Sequence, residues 1–77
     1  MARPVEEQLR LLTDARPARR WSAVRELSSA ARQGNLRAIG ALRMTLNDAD
    51  DSVRKAAQRA LQVAEIENVG LGLRRSA

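Results

Sequence analysis

Apolar residues recur at helical spacing along most of the chain, and no stretch alternates apolar and polar positions as a half-buried strand would. Alanine, leucine, arginine, glutamate and glutamine dominate the sequence, and all of them favour helices. Caps and apolar stripes together predict four helices, at about residues 4–13, 17–33, 36–46 and 51–66. The pattern therefore predicts an all-α protein.

Turn-forming residues separate the predicted helices. Gly34 is placed to end the second helix, because glycine adopts the left-handed backbone conformation at little cost. Asn35 is then a good N-cap for the third helix, and Asp50 or Asp51 caps the fourth. Gly40 lies inside the third helix, where it predicts close approach of a neighbouring helix.

The last residues follow a different pattern. Residues 67–77 contain two glycines and show no helical period, so we expect a flexible C-terminal tail. The remaining residues, 4–66, form one predicted domain of two helical hairpins, the first at 4–33 and the second at 35–66.

The two predicted hairpins are similar in sequence. A shift of 34 residues aligns identical residues in the turns and in the second helix of each pair, which is typical of helical repeat proteins. The matched pairs are Leu12 with Leu46, Asp14 with Asp48, Ala15 with Ala49, Arg20 with Arg54, Ala23 with Ala57, Arg25 with Arg59, Leu27 with Leu61 and Ala30 with Ala64.

The segment from Asp48 to Leu61, with its turn aspartate, its Val53-Arg54 pair and its small residues and leucine on one face, resembles the second half of a HEAT repeat. The similarity is to the short HEAT-like repeats of phycobilisome lyases and many bacterial proteins. The similarity is good over residues 36–66. It is weaker over residues 5–33, because the first repeat has Arg19 at the position that Val53 occupies in the second repeat.

The resemblance implies a four-helix fragment of a right-handed α-solenoid. It also implies a ladder of ion pairs between neighbouring repeats, formed by residues that match the family's turn aspartate and helix arginine. These are Asp14, Arg20, Asp48 and Arg54. The spacing of 34 is shared by tetratricopeptide repeats, but their tryptophan, glycine and tyrosine signature is missing.

Composition argues against catalysis. The 77 residues include no cysteine and no histidine, which removes the commonest metal ligands, nucleophile and general base. The aspartates at 48, 50 and 51 lack the glycine and distal glutamate of a calcium loop, so helix capping explains them better. We therefore expect no enzyme activity, no metal, no cofactor and no small-molecule substrate. The chain shows neither a signal peptide nor a membrane span, and a cytoplasmic location is expected.

The net charge of +5 comes mainly from arginine, which accounts for 13 of the 14 basic residues. This bias suits recognition of carboxylates or phosphates, although a GC-rich coding sequence would also produce it. The candidate partner-binding residues lie on the second helix: Arg19, Arg25 and Arg32 on an exposed face, and Trp21, which suits either internal packing or an interface anchor.

A binding role is the function that the sequence favours. The apolar arc of the second helix looks too wide for one neighbour, and helical repeats usually need about three copies for stability. We therefore expect a protein-binding adaptor or small accessory subunit that is completed by another protein or by a second copy. The alternative is a nucleic-acid-binding module that uses the arginine-rich face of the second helix.

Overall fold

A computed structural model describes the backbone of residues 4–76 and the side chains of residues 4–68. The chain forms four helices, α1 (Val5–Leu11), α2 (Pro17–Arg32), α3 (Leu36–Thr45) and α4 (Asp51–Ser76). No strand is present among residues 4–76, so the all-α prediction is confirmed.

The junction between α2 and α3 is a compact turn. Gly34 has φ of +88°, and its backbone N–H donates to the carbonyl of Ala31 at 3.0 Å. The next N–H, that of Asn35, reaches back to the carbonyl of Ala30 at 3.1 Å, which completes a Schellman motif. The Asn35 side chain then accepts the backbone N–H of Ala38 at 3.1 Å. Both predicted caps are confirmed.

Helix α4 is longer than the sequence pattern predicted. Asp50 caps it by accepting the backbone N–H three residues further on, at 3.1 Å. The helix does not end near residue 66 but continues to Ser76, so the prediction of a tail without helical structure is wrong for residues 67–76. Gly70 and Gly72 each cost only about 1 kcal/mol relative to alanine, and no proline stops the helix. Ala77 lies outside the described residues.

The helices pack in two layers, with α1 and α3 in one and α2 and α4 in the other. The most extensive contact is between α2 and α4, which run in the same direction: Arg20 binds Asp48 just before α4 begins, and Arg32 binds Glu67 further along. Most of the core residues are small. They are Val24, Leu27, Ala31, Ala38, Leu42, Val53, Ala57, Ala60 and Ala64.

The wide apolar arc of α2 is covered within the chain. Helix α2 contacts α1, α3 and α4, and its arc residues Val24, Leu27 and Ala31 are at most 1% exposed. Most of this arc is therefore buried within the chain, and Trp21 at its edge remains 38% exposed. A helical wheel of α2 alone cannot show this burial, because three different helices pack against the same arc.

Gly40 does not mark a close helix approach. It lies on the exposed side of α3, and a Cβ atom built there would have no neighbour within 4 Å. Leu36 and Met44, one turn away on either side, are 80% and 77% exposed. The prediction for Gly40 is wrong because the core-facing stripe of α3 lies on the opposite side of the helix.

The sides of α2 and α4 that face away from each other's buried residues are polar. Val24 and Ala31 of α2 are buried, whereas Gln58 and Glu65, at the equivalent positions of α4, are exposed. We call the set Gln58, Gln62 and Glu65 the α4 end face. Conversely, Val53 and Ala60 of α4 are buried, whereas Arg19 and Glu26, at the equivalent positions of α2, are exposed. We call the set Arg19, Ser22 and Glu26 the α2 end face.

Candidate interaction site

The 34-residue repeat is visible in the hydrogen bonds of the inter-helix turns. The guanidinium of Arg20 donates to the backbone carbonyls of Asp14 and Ala15 at 2.8 and 3.1 Å. Arg54 donates to the carbonyls of Asp48 and Ala49 at the same two distances. The two hairpins are therefore equivalent in local structure at these turns as well as in sequence.

Arg20 also connects the two hairpins. Its Nε and Nη2 atoms donate to the two carboxylate oxygens of Asp48 at 2.9 and 3.1 Å, a bidentate pair whose side chains are only 14% and 12% exposed. The hydrogen bonds from Arg20 lower the pKa of Asp48 below its ordinary value, and Asp48 raises the pKa of Arg20. The pair therefore stays charged and ties the start of α2 to the turn before α4.

The other two candidates for the ladder form local pairs instead. Asp14 accepts the backbone N–H of Arg16 at 2.8 Å and its Nε at 3.2 Å, and these hydrogen bonds lower the pKa of Asp14. Arg54 donates to Asp51 at 3.0 Å. Of the four predicted residues, the structure joins Arg20 and Asp48 across the hairpins and leaves Asp14 and Arg54 with neighbours in their own hairpins.

The aspartates of the second turn all have structural partners. Asp48 binds Arg20, Asp50 caps α4, and Asp51 forms an ion pair with Lys55 at 3.1 Å. The hydrogen bond from Lys55 lowers the pKa of Asp51. Within the described residues no three acidic side chains are grouped so that they could hold a metal ion.

A groove of about 600 Å³ lies between α2 and α4, and we call it the α2/α4 groove. Its α2 wall consists of Trp21, Val24, Arg25, Ser28, Ser29 and Arg32. Its α4 wall consists of Ser52, Lys55, Ala56, Arg59, Ala60 and Val63. Four of these residues are basic and none is acidic, so the groove presents a positive surface beside an apolar floor.

Three of the four candidate partner-binding residues lie together in this groove: Trp21, Arg25 and Arg32. Trp21 is 38% exposed, and the guanidinium of Arg25 lies 5.0 Å from the centre of its ring, a cation–π contact. Arg19 does not line the groove. It belongs to the α2 end face, about 120° round the helix from Arg25 at 100° per residue.

The basic residues of the groove differ in their partners. Arg32 forms an ion pair with Glu67 at 3.0 Å, and Lys55 forms one with Asp51 at 3.1 Å; all four side chains are at least 43% exposed. Exposed pairs of this kind contribute little and are easily exchanged. Among the described side chains, no carboxylate forms an ion pair with Arg25 or Arg59.

The α4 wall was not anticipated from the sequence. The internal repeat could have indicated it, because the 34-residue shift aligns Trp21 with Lys55 and Arg25 with Arg59 in sequence. Equivalent positions of two stacked hairpins project from the same side of the stack. The basic character of Arg25 therefore recurs at Arg59, and together they form one positive surface.

A second cavity, of about 340 Å³, lies between α1 and α2. It contains Gln8, which is 2% exposed and donates from Nε2 to Glu26 at 3.3 Å, while its Oε1 atom has no hydrogen-bond partner among the described residues. None of the candidate binding residues lines this cavity.

Comparison of the chain with known protein families, with curated proteins and with solved structures finds no match. Within residues 4–76, none of the helices combines the length and the apolar character that a bilayer crossing requires.

Proposed function

We propose that this protein is a non-catalytic protein-interaction module, an adaptor or small accessory subunit, built as two HEAT-like hairpins of a right-handed α-solenoid. The repeated turn geometry of Arg20 and Arg54 and the ion pair from Arg20 to Asp48 support the repeat architecture. The α2 and α4 end faces are polar, as the outer faces of capping repeats usually are.

One observation carries the binding role. The α2/α4 groove holds four basic side chains, no acidic one and a partly exposed tryptophan above an apolar floor. Arginine and tryptophan are enriched among residues that dominate binding energy. The groove therefore suits an anionic segment of another protein.

The state of the carboxylates supports a non-catalytic role. A general acid needs a raised pKa, usually from burial or a like charge. Basic groups and backbone N–H donors instead lower the pKa of Asp14, Asp48 and Asp51. These aspartates remain ionised at neutral pH and stabilise turns and helix starts.

Nucleic acid binding is the second candidate, because Arg25, Arg32, Lys55 and Arg59 could contact phosphates. The logarithm of the binding constant for nucleic acid falls linearly with the logarithm of the salt concentration, with a slope of roughly one per phosphate contact. A protein partner with an apolar contact area would show a shallower dependence on salt.

Photo-cross-linking in the cells that express the protein tests the proposal. A photoreactive residue at Ser28, inside the groove, is compared with one at Met44, on the exposed side of α3. We expect discrete protein adducts from position 28, which disappear in a Lys55→Glu and Arg59→Glu variant. Nuclease-sensitive adducts would instead support nucleic acid binding, and equal labelling from both positions would refute a role for the groove.

A further inference from the structure

We infer that the occupant of the α2/α4 groove is an amphipathic helix of about three turns with acidic residues on both sides of its apolar stripe. This inference rests on the proposed function and specifies the partner's chemistry. It follows from the length of the groove, the composition of its floor and the spacing of its charges.

The walls fix the length. Trp21 and Arg32 lie eleven residues apart on α2, and Ser52 and Val63 lie eleven residues apart on α4. At 1.5 Å per residue each wall is about 16 Å long, which equals about three turns of a helix. The parallel course of α2 and α4 gives the groove a single axis along which such a helix can lie.

The floor favours an apolar contact with close backbone approach. Ala56 and Ala60 are small, and Val24, which also lines the groove, has no exposed surface. Val63 is 37% exposed at one end and Trp21 38% exposed at the other. A helix with an apolar stripe would bury these two larger side chains, whereas a phosphate backbone would gain nothing from this floor.

The charges predict the pattern of acids in the partner. Arg25 and Arg32 are seven residues apart, about 10 Å along α2, and Lys55 and Arg59 are four apart, about 6 Å along α4. Carboxylates at i and i+7 on one flank of a helix, and at i and i+4 on the other, have the same spacings.

Base stacking is a weaker explanation of the same surface. Proteins that bind single-stranded nucleic acid combine basic grooves with aromatic side chains on which bases stack. Trp21 is the only aromatic residue of the chain, and the guanidinium of Arg25 lies 5.0 Å from its ring centre. A stacked base would have to compete with that arginine for the ring.

Trp21 also provides the assay, since no other tryptophan or tyrosine contributes to the fluorescence. The probe is a synthetic tryptophan-free helical peptide of alanine, leucine and glutamate, with leucines at i, i+4, i+7 and i+11 and glutamates on both flanks. The matched control replaces each glutamate with glutamine. A third titration uses single-stranded oligothymidine.

We expect the glutamate peptide to shift Trp21 emission to the blue and to bind at least about tenfold more tightly than the glutamine peptide at low salt, a difference of roughly 1.4 kcal/mol. A Lys55→Gln and Arg59→Gln variant leaves Trp21 and Arg25 unchanged and should lose this preference. Arg43→Gln, on the exposed side of α3, should retain it. Circular dichroism verifies that each variant is folded.

Three results would overturn the inference: equal affinity for both peptides, oligothymidine binding without peptide binding, or no change of Trp21 emission with any probe. Protein adducts at position 28 without binding of the glutamate peptide would reject the acidic helix and leave the interaction module standing. Absence of both the adducts and the binding would reject both proposals.

Discussion

Substituting alanine for glycine should have opposite effects on the free energy of unfolding at Gly40 and at Gly34. Gly40 lies inside α3, where a Cβ atom would contact nothing within 4 Å, so Gly40→Ala gains helix propensity without a clash. We expect its free energy of unfolding to rise by about 0.5–1 kcal/mol. At Gly34 the nearest atom to a built Cβ, Oδ1 of Asn68, is 3.8 Å away, but φ is +88°. Gly34→Ala should therefore lower the free energy of unfolding by about 1–2 kcal/mol through backbone strain alone.

Urea unfolding followed by far-UV circular dichroism measures both variants against the natural protein. In a domain of this size 1 kcal/mol corresponds to a shift in Tm of about 4–8 °C, so thermal unfolding resolves the difference as well. Each measurement is made at two protein concentrations. The reasoning would be refuted if Gly40→Ala were neutral or destabilising and the Tm rose with protein concentration. That result would mean that a second copy packs on the exposed side of α3 through Leu36 and Met44.

Three further predictions follow. Asp48 has a lowered pKa in the folded state, so its ion pair stabilises the fold above about pH 3.8, and this contribution is lost as the pH falls through the folded-state pKa. The difference in urea midpoint between the natural protein and Asp48→Asn should therefore be clear at neutral pH and should shrink below pH 3.8. A difference that stays constant with pH would refute this prediction. Leu42→Ala, at a site with no exposed surface, should cost about 2–5 kcal/mol, whereas Met44→Ala on the same helix should cost almost nothing, both read from urea unfolding. Replacing the α4 end face by the residues of α2 at the equivalent positions (valine, serine and alanine) should make the protein associate in light scattering, while the natural chain stays at 8.5 kDa; a monomeric variant would show that polarity does not end the stack.

The local features of the fold were predictable because they depend on neighbours in sequence. The Schellman turn at Gly34 and the cap at Asn35 need only a few consecutive residues, and helical periodicity placed all four helices. The extent of α4 was not predictable in this way, because two glycines lower helix propensity without stopping the helix. The length of a helix depends on the sum over many residues, and no single residue between Ile66 and Ser76 terminates this one.

Features that depend on the placement of whole helices were harder to predict. The role assigned to Gly40 failed because a glycine in a helix indicates open space as readily as close contact. The only fully buried residue of α1 is Gln8, whereas the apolar stripe of that helix is only partly buried. The groove itself depends on the relative position of α2 and α4, and of its lining residues the sequence had singled out only Trp21, Arg25 and Arg32.

The two polar end faces limit what the groove can bind. A longer solenoid would repeat the groove between each pair of neighbouring second helices, and a partner could gain affinity by extending along them. In the proposed two-repeat stack, Arg19 at the position of Val53 and Gln58 at the position of Val24 oppose such an extension. The basic positions, in contrast, occur in both repeats, at Arg25 and Arg59. The proposed interaction surface thus covers about 16 Å of one groove. For the inferred acidic helix, specificity would therefore come from the spacing of four charges, and further affinity would come from contacts outside the groove.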